Sequence, residues 1–392
     1  MLTEVAHPAL FELCEPLVQN SASQSCILEA LQAKSGLDAS QIAKVDIVDV
    51  TGGNGTISVI YKCTVITRTR DERTEVVLKV SDPGKVLPAF DQSDHTDPEK
   101  NTIVKFHNLE CEFYELYGDS LDFPTPKVYG MQKCDGAETP GIIVMESFFG
   151  SAGMVDLATG LNPRQHCKAS RRFPQAVHLQ AADQWKGKHF SAIDVYRRIL
   201  DVDFVGVNLE KLRLLRPGVF DKGIDAFLPY GRSRNFVDYV ICQGYKDIGL
   251  PAVLVHGDFW TNNILFQKRA DGALSDEIAA VIDWQMFHEG SLVRDITRAM
   301  VMCVDGEMRQ QQSKRRSPVL LRHFGRFVQK AYRVTFIYQT MLLLCMGPYL
   351  ESFDKGVKSE KTEKLLQRAE SAMNEALEML HEFPIDRFEE CA

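Results

Sequence analysis

The chain has 392 residues, more than a single hydrophobic core normally serves, so its length predicts one large two-lobed unit or two domains. A hydrophobic content of 45% is typical of a packed globular protein. With 25% charged residues and a net charge of -8, the composition gives no reason to expect nucleic acid or an anionic membrane as a bulk electrostatic partner. Any site for phosphate groups must therefore be a local feature.

The cysteines and the apolar segments indicate a cytoplasmic chain. Ten cysteines are scattered without a CxxC pair or a His/Cys cluster at zinc-ligand spacing, so we expect reduced thiols. The first residues lack the basic start and the long apolar run of a signal peptide. The most apolar window, 334–350, contains Gln339 and Thr340, which favours a buried helix over a membrane span.

The first half of the chain predicts a small α+β lobe. Residues 1–44 suggest a helical lead-in, after which two β-rich runs flank the turn TGGNGT. A third strand, TEVVLKV, covers 74–80, and a helix over TIVKFHNLECEFYELYG ends at Gly118. The run GIIVMES at 141–147 adds another strand. We place this lobe, a nucleotide-binding N-lobe, at 45–147.

A lysine in the third predicted strand is a candidate phosphate ligand. Alternation sends Val76, Leu78 and Val80 to one face and Val77 and Lys79 to the other. A lone lysine between apolar residues fits the wall of a cleft, where its ammonium meets phosphates and Val77 meets an adenine ring. An edge-strand lysine that blunts aggregation is the alternative.

A lysine in such a cleft needs an acidic partner, and the predicted helix supplies one. Phe106, Glu110, Phe113 and Tyr117 fall on a single stripe of that helix, whereas Glu112 lies on its polar side. A carboxylate among aromatic side chains requires a cation. We therefore predict an ion pair between Glu110 and Lys79.

Two further segments of this lobe are weaker nucleotide candidates. The turn at Gly53, Asn54 and Gly55 could lay its backbone N–H groups against phosphates, although a plain hairpin turn explains it equally well. Met145 and Glu146 end the strand GIIVMES, where the chain passes between the predicted lobes. Backbone groups there are expected to hydrogen-bond adenine.

The second half, residues 148–392, reads as a mainly helical C-lobe with two short strands. These strands, at 253–256 and 278–283, lie on either side of the segment HGDFWTNN and of a turn-rich connection, QKRADGALSD. From 291 onward the pattern is helical, and the last helix stops before Pro384.

Three polar residues beside these strands predict a metal-dependent catalytic centre. Asp258 and Asn263 follow the first strand, and Asp283 ends the second. A carboxylate and a carboxamide that converge from two strand ends supply hard oxygen ligands for Mg²⁺, and a second carboxylate can hold a substrate hydroxyl. Asp258 and Asn263 could instead only cap a turn. The additional Asp283 in matched context favours a phosphotransferase catalytic loop.

Taken together, these motifs resemble one family. Lys79, Glu110, HGDFWTNN and IDWQ, in this order, are similar to the CHK kinase-like (ecdysteroid-kinase-like) proteins, animal relatives of choline kinases and aminoglycoside phosphotransferases. The phrases FHNLECEFY, HGDFWTNNILF and VIDWQMFHEGS with RDITRAM resemble a nematode branch most. The likeness spans roughly residues 45–385, and the catalytic-loop and DWQ segments are its specific part.

The resemblance implies an α+β, protein-kinase-like two-lobed fold that binds MgATP between its lobes. By that resemblance Asp258 is the catalytic acidic residue, Asn263 and Asp283 are magnesium ligands, and Lys79 contacts the α- and β-phosphates with Glu110 as its partner. Asp295 of RDITRA matches an Asp that we interpret as structural.

Two departures from protein kinases disfavour a protein substrate. Gly257 stands where protein kinases carry Arg after the histidine, and DWQ replaces DFG without an APE-like segment downstream. Protein kinase activity is accordingly the weakest hypothesis.

The leading hypothesis is a kinase that transfers the γ-phosphate of ATP to a hydroxyl of a small sterol- or choline-like alcohol. A pseudokinase or nucleotide-gated binding protein is the alternative. We expect no nucleic acid, membrane span or protein partner. The roles of Phe259, Trp260, Gln285 and His288 stay open between contact with the acceptor and packing, and His256 and Asn262 are expected to support the loop.

Overall fold

The chain forms two compact units. The computed structural model describes residues 21–36, 41–51, 57–68, 73–81, 101–119, 123–135, 139–178, 185–189, 196, 202–314, 319–352 and 360–388. One unit comprises 1–120 with 125–149, and the other comprises 121–124 with 150–392.

The first unit is built on an antiparallel sheet. Its five strands are arranged in the order β1-β2-β3-β5-β4, so neighbours along the chain are mostly neighbours in the sheet. Strand β4 lies where no strand was predicted. The elements are α1 (Ser21–Ser35), β1 (Ile42–Asp49), β2 (Ser58–Thr67), β3 (Arg73–Ser81), α2 (Thr102–Tyr117), β4 (Val128–Gln132) and β5 (Gly141–Glu146).

The two faces of β3 have different surroundings. Val76 and Leu78 are at most 1% exposed and pack in one cluster with Ile27 and Leu31 of α1. Because side chains alternate along a strand, the opposite face of the sheet carries Lys79. Burial of the valine and leucine side chains fixes the register and thereby holds the lysine on the other face.

Helix α2 is defined by its cap and by its buried stripe. Asn101 accepts hydrogen bonds from the backbone N–H groups of Ile103 and Val104, which satisfies two donors that the first turn leaves open. The predicted inward residues Phe106 and Phe113 are buried. The helix therefore presents one fixed face, and Glu110 lies on it.

His107 of α2 belongs to a buried polar network in this unit. Its Nδ1 lies 3.1 Å from Oγ of Ser81, and its Nε2 lies 2.8 Å from the carbonyl oxygen of Gln132. Burial lowers the pKa of His107 to about 4, and the nearby ammonium of Lys79 acts in the same direction. The imidazole ring also fills the space where a side chain at Gly141 would lie.

The second unit is larger and mainly helical. Strands β6, β8 and β10 are additions to the two strands predicted here. Strand β9 begins at Leu274, so the turn-rich connection is a β-hairpin. The elements are β6 (Ala152–Met154), α3 (Pro163–His178), α4 (Val202–Leu215), α5 (Asp221–Arg232), α6 (Arg234–Asp238), α7 (Gly244–Asp247), β7 (Ala252–Val255), β8 (Ile264–Lys268), β9 (Leu274–Val281), β10 (His288–Ser291), α8 (Arg294–Cys303), α9 (Gly306–Lys314), α10 (Val319–Ser352) and α11 (Glu360–Met379).

Two small antiparallel sheets frame the loop after β7. One sheet has the order β6-β8-β9, and the other pairs β7 with β10. Helix α10, with a break in helical geometry at Gly325, contains the apolar window and buries Gln339 and Thr340 to 1% exposure or less. Within the described residues, no helix is long and apolar enough to cross a membrane. The predicted α+β fold class, with a β-rich first part and a larger helical second part, is confirmed.

The buried histidines make stability depend on pH. His107 takes up its proton near pH 6.5 in the unfolded chain and near pH 4 in the folded one. The unfolded state therefore binds more protons between these values, and the free energy of unfolding falls as the pH is lowered from 6.5 to 4. Burial lowers the pKa of His166 to about 4 as well, so it contributes in the same direction.

The slope of the free energy of unfolding against pH reports how many more protons the unfolded state binds than the folded state. We expect His107→Gln to reduce this difference by about one proton between pH 4 and pH 6.5. Urea unfolding followed by far-UV circular dichroism at several pH values measures it. His381→Gln, at an exposed position, serves as the control. An unchanged slope in His107→Gln would contradict the assignment of a neutral buried imidazole.

Candidate active site

Lys79 and Glu110 form a buried ion pair in the first unit. The Nζ of Lys79 lies 2.5 Å from Oε2 of Glu110, and the two residues are 7% and 1% exposed. Two charges at this depth are tolerated because each offsets the desolvation of the other. The pair arises from the alternation in β3 and from the helical spacing in α2. Glu112 is half-buried beside this stripe.

The surface beside Lys79 is apolar. Val77 pairs with Met145 across β3 and β5, and Lys79 pairs with Ile143. Residues directly opposite each other in an antiparallel pair share one face of the sheet, so Val77, Met145 and Ile143 lie on the face that carries the lysine. Glu146 ends β5, with its backbone N–H bonded to the carbonyl oxygen of Lys127 at 2.8 Å. The predicted phosphate turn, Gly53, Asn54 and Gly55, lies outside the described residues.

In the second unit, a buried carboxylate holds the loop that follows β7. Asp295, in the first turn of α8, accepts the backbone N–H of His256 at 2.8 Å and that of Gly257 at 2.9 Å. Burial raises the pKa of Asp295, although its N–H donors act in the opposite direction. Asp295 thus fixes the backbone immediately before Asp258.

Gly257 has a conformation and surroundings that exclude a side chain. Its φ is +87°, in the region that favours glycine. A Cβ there would meet the carbonyl oxygen of Met286 and the hydroxyl of Tyr196, which also donates to the Gly257 carbonyl at 2.8 Å. The glycine that distinguishes this loop from protein kinases is therefore imposed by packing.

His256 connects the loop to the end of β9. Its Nδ1 accepts the backbone N–H of Asp258 at 3.2 Å, so we assign the ring proton to Nε2, which donates to the carbonyl oxygen of Ile282 at 2.9 Å. The ring lies 4.6 Å from the ring of Trp284, and both residues are fully buried. His256 is a structural link between the two segments.

Three side-chain donors surround the carboxylate of Asp258. Its Oδ1 accepts from Nη2 of Arg298 at 2.8 Å. Its Oδ2 accepts from Nε1 of Trp260 at 3.1 Å and from Nδ2 of Asn263 at 3.2 Å. An ionised carboxylate only accepts hydrogen bonds, and three donors satisfy this requirement. The carboxylate is thereby held in one orientation.

Strand pairing brings Asn263 and the segment before Asp283 together. Ile264 pairs with Val281, and the N–H of Ile282 donates to the carbonyl oxygen of Asn263 at 3.0 Å. Asp283 follows directly. It has a φ of 67°, the one positive φ of a non-glycine residue in the described part of the chain. Such a conformation costs about 1–2 kcal/mol and is enriched at functional sites.

The donor atoms of Asn263 and Asp283 suit a magnesium ion. Nδ2 of Asn263 is engaged by the backbone and carboxylate oxygens of Asp258, which leaves Oδ1 as the atom that could ligate a metal. The described residues contain no group of three or more His, Cys, Asp or Glu side chains that could hold a metal ion. Magnesium is commonly held by one or two protein oxygens together with phosphates of the substrate, so a carboxamide and a carboxylate fit this mode.

Sequence reasoning missed Arg298 and left several neighbours undecided. Trp260 is part of the arrangement through its hydrogen bond to Asp258, whereas Phe259 is core, at 1% exposure. Gln285 is 8% exposed. His288 is fully buried, with Nδ1 2.9 Å from the carbonyl oxygen of Met286, and burial lowers its pKa to about 3. The RDITRAM motif contains Arg298, but the sequence carries no signal that pairs it with Asp258.

The ion pair of the first unit leads to a stability prediction. We expect Lys79→Met or Glu110→Gln to lower the free energy of unfolding by about 3–5 kcal/mol each, because either change leaves a buried charge without its partner. The double variant Lys79→Met with Glu110→Gln should lose clearly less than the sum of the two single variants. Urea unfolding followed by far-UV circular dichroism measures this double-mutant cycle. Additive losses would show that the two groups do not compensate each other.

Gly257→Ala should lower the free energy of unfolding by about 1–3 kcal/mol more than Gly249→Ala, because only the former also creates a close contact. Gly249 has a similar φ of +79° but nothing within 4 Å of the position that an alanine methyl group would occupy, so it isolates the backbone strain, about 1 kcal/mol. Fluorescence in urea is a suitable probe, since all three tryptophans (185, 260 and 284) belong to the second unit. Equal losses would contradict the steric explanation.

Residues 84–384 match the model of the DUF1679 family, described as "Uncharacterized oxidoreductase dhs-27". A relative with the same description in Caenorhabditis elegans is 24% identical over 275 residues, which are 66% of this chain and 32% of the relative. The chain thus spans about a third of the length of the curated relative that it matches.

Solved structures of two small-molecule kinases are also similar. The choline kinase from Cryptosporidium parvum Iowa II has a TM-score of 0.49 at 11% identity, over 94% of this chain and 99% of that one. The ADP-bound aminoglycoside phosphotransferase APH(2'')-Ib has a TM-score of 0.42 at 14% identity, over 90% and 98%. Because the family model matches more than half of the chain, the protein belongs to the DUF1679 family.

Proposed function

We propose that the chain is an ATP-dependent small-molecule kinase with a protein-kinase-like fold, which transfers the γ-phosphate of ATP to a hydroxyl of a small sterol- or choline-like alcohol. The observation that carries the proposal is the held carboxylate of Asp258 next to Asn263, whose backbone is paired with the residue before Asp283. The buried Lys79–Glu110 pair supports it from the first unit. We also propose a cytoplasmic location, which suits cysteines kept as thiols.

Asp258 orients the acceptor in this proposal. Phosphoryl transfer asks the protein mainly for positioning and for neutralisation of charge. A carboxylate oxygen of Asp258 accepts a hydrogen bond from the acceptor hydroxyl and takes its proton late in the transfer. Trp260 and Asn263 both donate to Oδ2 of this carboxylate.

The remaining groups bind the nucleotide. The ammonium of Lys79 donates hydrogen bonds to phosphate oxygens, and Glu110 keeps it in place. The apolar pair Val77 and Met145 offers a surface for the adenine ring. When bound, Mg²⁺ supplies charge neutralisation for the phosphates, with Oδ1 of Asn263 and the carboxylate of Asp283 as its protein ligands.

The relative is named an oxidoreductase, and we do not propose that activity for this chain. About two thirds of that relative's length lies outside the match. The side chains that meet at Asp258 are a carboxylate, a carboxamide, an indole and a guanidinium. They bind and position charged oxygens, as phosphoryl transfer requires.

The proposal predicts different defects for the two acidic residues. Asp258→Asn should lower kcat at least about 100-fold while MgATP binding persists, because a carboxamide cannot take up the proton of the acceptor hydroxyl. Asp283→Ala should raise the Kd for MgATP at least about 10-fold, or about 1.4 kcal/mol, because a metal ligand is lost. ATP consumption with choline, a sterol and other hydroxylated metabolites, together with calorimetric titration of MgATP, measures both effects.

Asp271→Asn, at an exposed turn of the β8–β9 hairpin, is the control and should behave as the unaltered chain. Undiminished transfer by Asp258→Asn would exclude its catalytic assignment. Binding of MgATP without consumption for any acceptor would instead favour the rival hypothesis, a nucleotide-binding pseudokinase.

A further inference from the structure

Arg298 makes a contact with Asp258 that the kinase proposal does not require. Its Nη2 donates to Oδ1 at 2.8 Å, and the side chains of the arginine and the aspartate are only 11% and 18% exposed. Arg298 lies in α8, whereas Asp258 lies in the loop after β7. A charge-assisted hydrogen bond at this depth is stronger than the same bond at the surface, because solvent screens it less.

The two oxygens of Asp258 have different kinds of partner. Oδ1 bonds to the cation, and Oδ2 bonds to the neutral N–H groups of Trp260 and Asn263. Rotation of the carboxylate about its Cβ–Cγ bond would break all three contacts. The strongest of them is the ion pair, so loss of the arginine leaves the rotation opposed only by two longer, neutral bonds.

Arg298 also differs from the buried arginines that tie helices together. Arg368 donates to the carbonyl oxygens of Leu157, Ala158 and Met302 and to the carboxylate of Asp305. The guanidinium of Arg298 instead contacts Asp258 and, at 3.3 Å, Oε1 of Gln339, and its buried Nε has no hydrogen-bond partner among the described residues. The shorter contact therefore serves the carboxylate, and the longer one joins α8 to α10.

A second observation links Arg298 to the same group. Its guanidinium carbon lies 5.9 Å from the centre of the Trp260 ring, a cation–π distance. The indole of Trp260 in turn donates to Oδ2 of Asp258. Arg298 thus acts on Asp258 directly through Oδ1 and indirectly through the side chain that holds Oδ2.

We propose that Arg298 is the positioning residue of Asp258: it holds the carboxylate in the orientation that presents it to the acceptor hydroxyl. The effect of Arg298 on catalysis rests on the proposed function of Asp258, whereas its effect on the orientation of the carboxylate does not. Arg298→Met removes the cation from a side chain of similar length. Arg298→Lys keeps the positive charge but loses the planar guanidinium group with its fixed set of N–H donors.

The first measurement needs no activity. The indole ¹⁵N–¹H resonance of Trp260, identified with Trp260→Phe, reports the hydrogen bond to Asp258. In Arg298→Met we expect this resonance to move and its exchange with D₂O to accelerate about 10-fold or more, since a released carboxylate no longer accepts the bond continuously. Arg298→Lys should retain a resonance near the original position.

Two controls separate positioning from general destabilisation. The indole of Trp284 donates to the carbonyl oxygen of Val281 at 3.0 Å, so its resonance should stay unchanged in every variant. Arg213→Met removes a surface arginine of α4, paired with Glu210 and Asp225, and should leave Trp260 unaffected. An unmoved Trp260 resonance in Arg298→Met, or equal changes at Trp260 and Trp284, would overturn the proposal.

The second measurement is steady-state kinetics with the acceptor that the unaltered chain uses best. Arg298→Met should lower kcat on the order of 100-fold while the Kd for MgATP stays unchanged, because a misplaced reacting group costs rate and not nucleotide affinity. Arg298→Lys should recover part of the loss. Equal kcat in Arg298→Met and the unaltered chain would overturn the proposal.

The two measurements distinguish a failure of the proposed role of Arg298 from a failure of the proposed function. If the unaltered chain consumes no ATP with any hydroxyl acceptor, the kinase proposal fails. The Trp260 resonance then still decides whether Arg298 positions Asp258.

Discussion

The arrangement around Asp258 depends on one buried carboxylate, that of Asp295. Bonds from two successive backbone N–H groups fix the chain at His256 and Gly257, and the aspartate itself is 2% exposed. Burying an anion is unfavourable unless hydrogen-bond donors compensate it. The loop after β7 supplies these donors and helix α8 supplies the carboxylate, so each stabilises the other. Because α8 also carries Arg298, the same helix that fixes the backbone before Asp258 supplies the cation for its side chain.

A second dependence runs through the backbone of β9. His256 and Asn263, which flank the loop, both bond to Ile282, one through an imidazole and the other through a carbonyl oxygen. Ile282 is therefore held by two hydrogen bonds, and Asp283 follows it directly. Rigid surroundings of this kind allow an unfavourable φ such as that of Asp283 to persist. Backbone contacts of His256, Asn263 and Ile282 thus set the positions of Asp258 and Asp283.

The sequence sufficed for contacts that follow from periodicity. Alternation in β3 and the helical stripe of α2 predicted that Lys79 and Glu110 face each other, and they do. Strands β4, β6, β8 and β10, of three to five residues, contain polar residues or glycine and lack the continuous apolar run by which the equally short β7 was predicted. The Arg298 contact joins residues 40 positions apart, and the exclusion of a side chain at Gly257 depends on Tyr196 and Met286. Such contacts depend on tertiary packing, which no local pattern encodes.

The imidazole of His107 lies where a side chain at Gly141 would be, and the same ring bridges Ser81 of β3 and Gln132 of β4. The two positions therefore cannot vary independently during evolution. A relative with alanine or a larger residue at 141 needs a smaller residue at 107, and it must then satisfy the Ser81 hydroxyl in another way. Across a set of DUF1679 sequences, these two positions should change together, which makes the pair a sequence marker for this packing of helix α2 on the sheet.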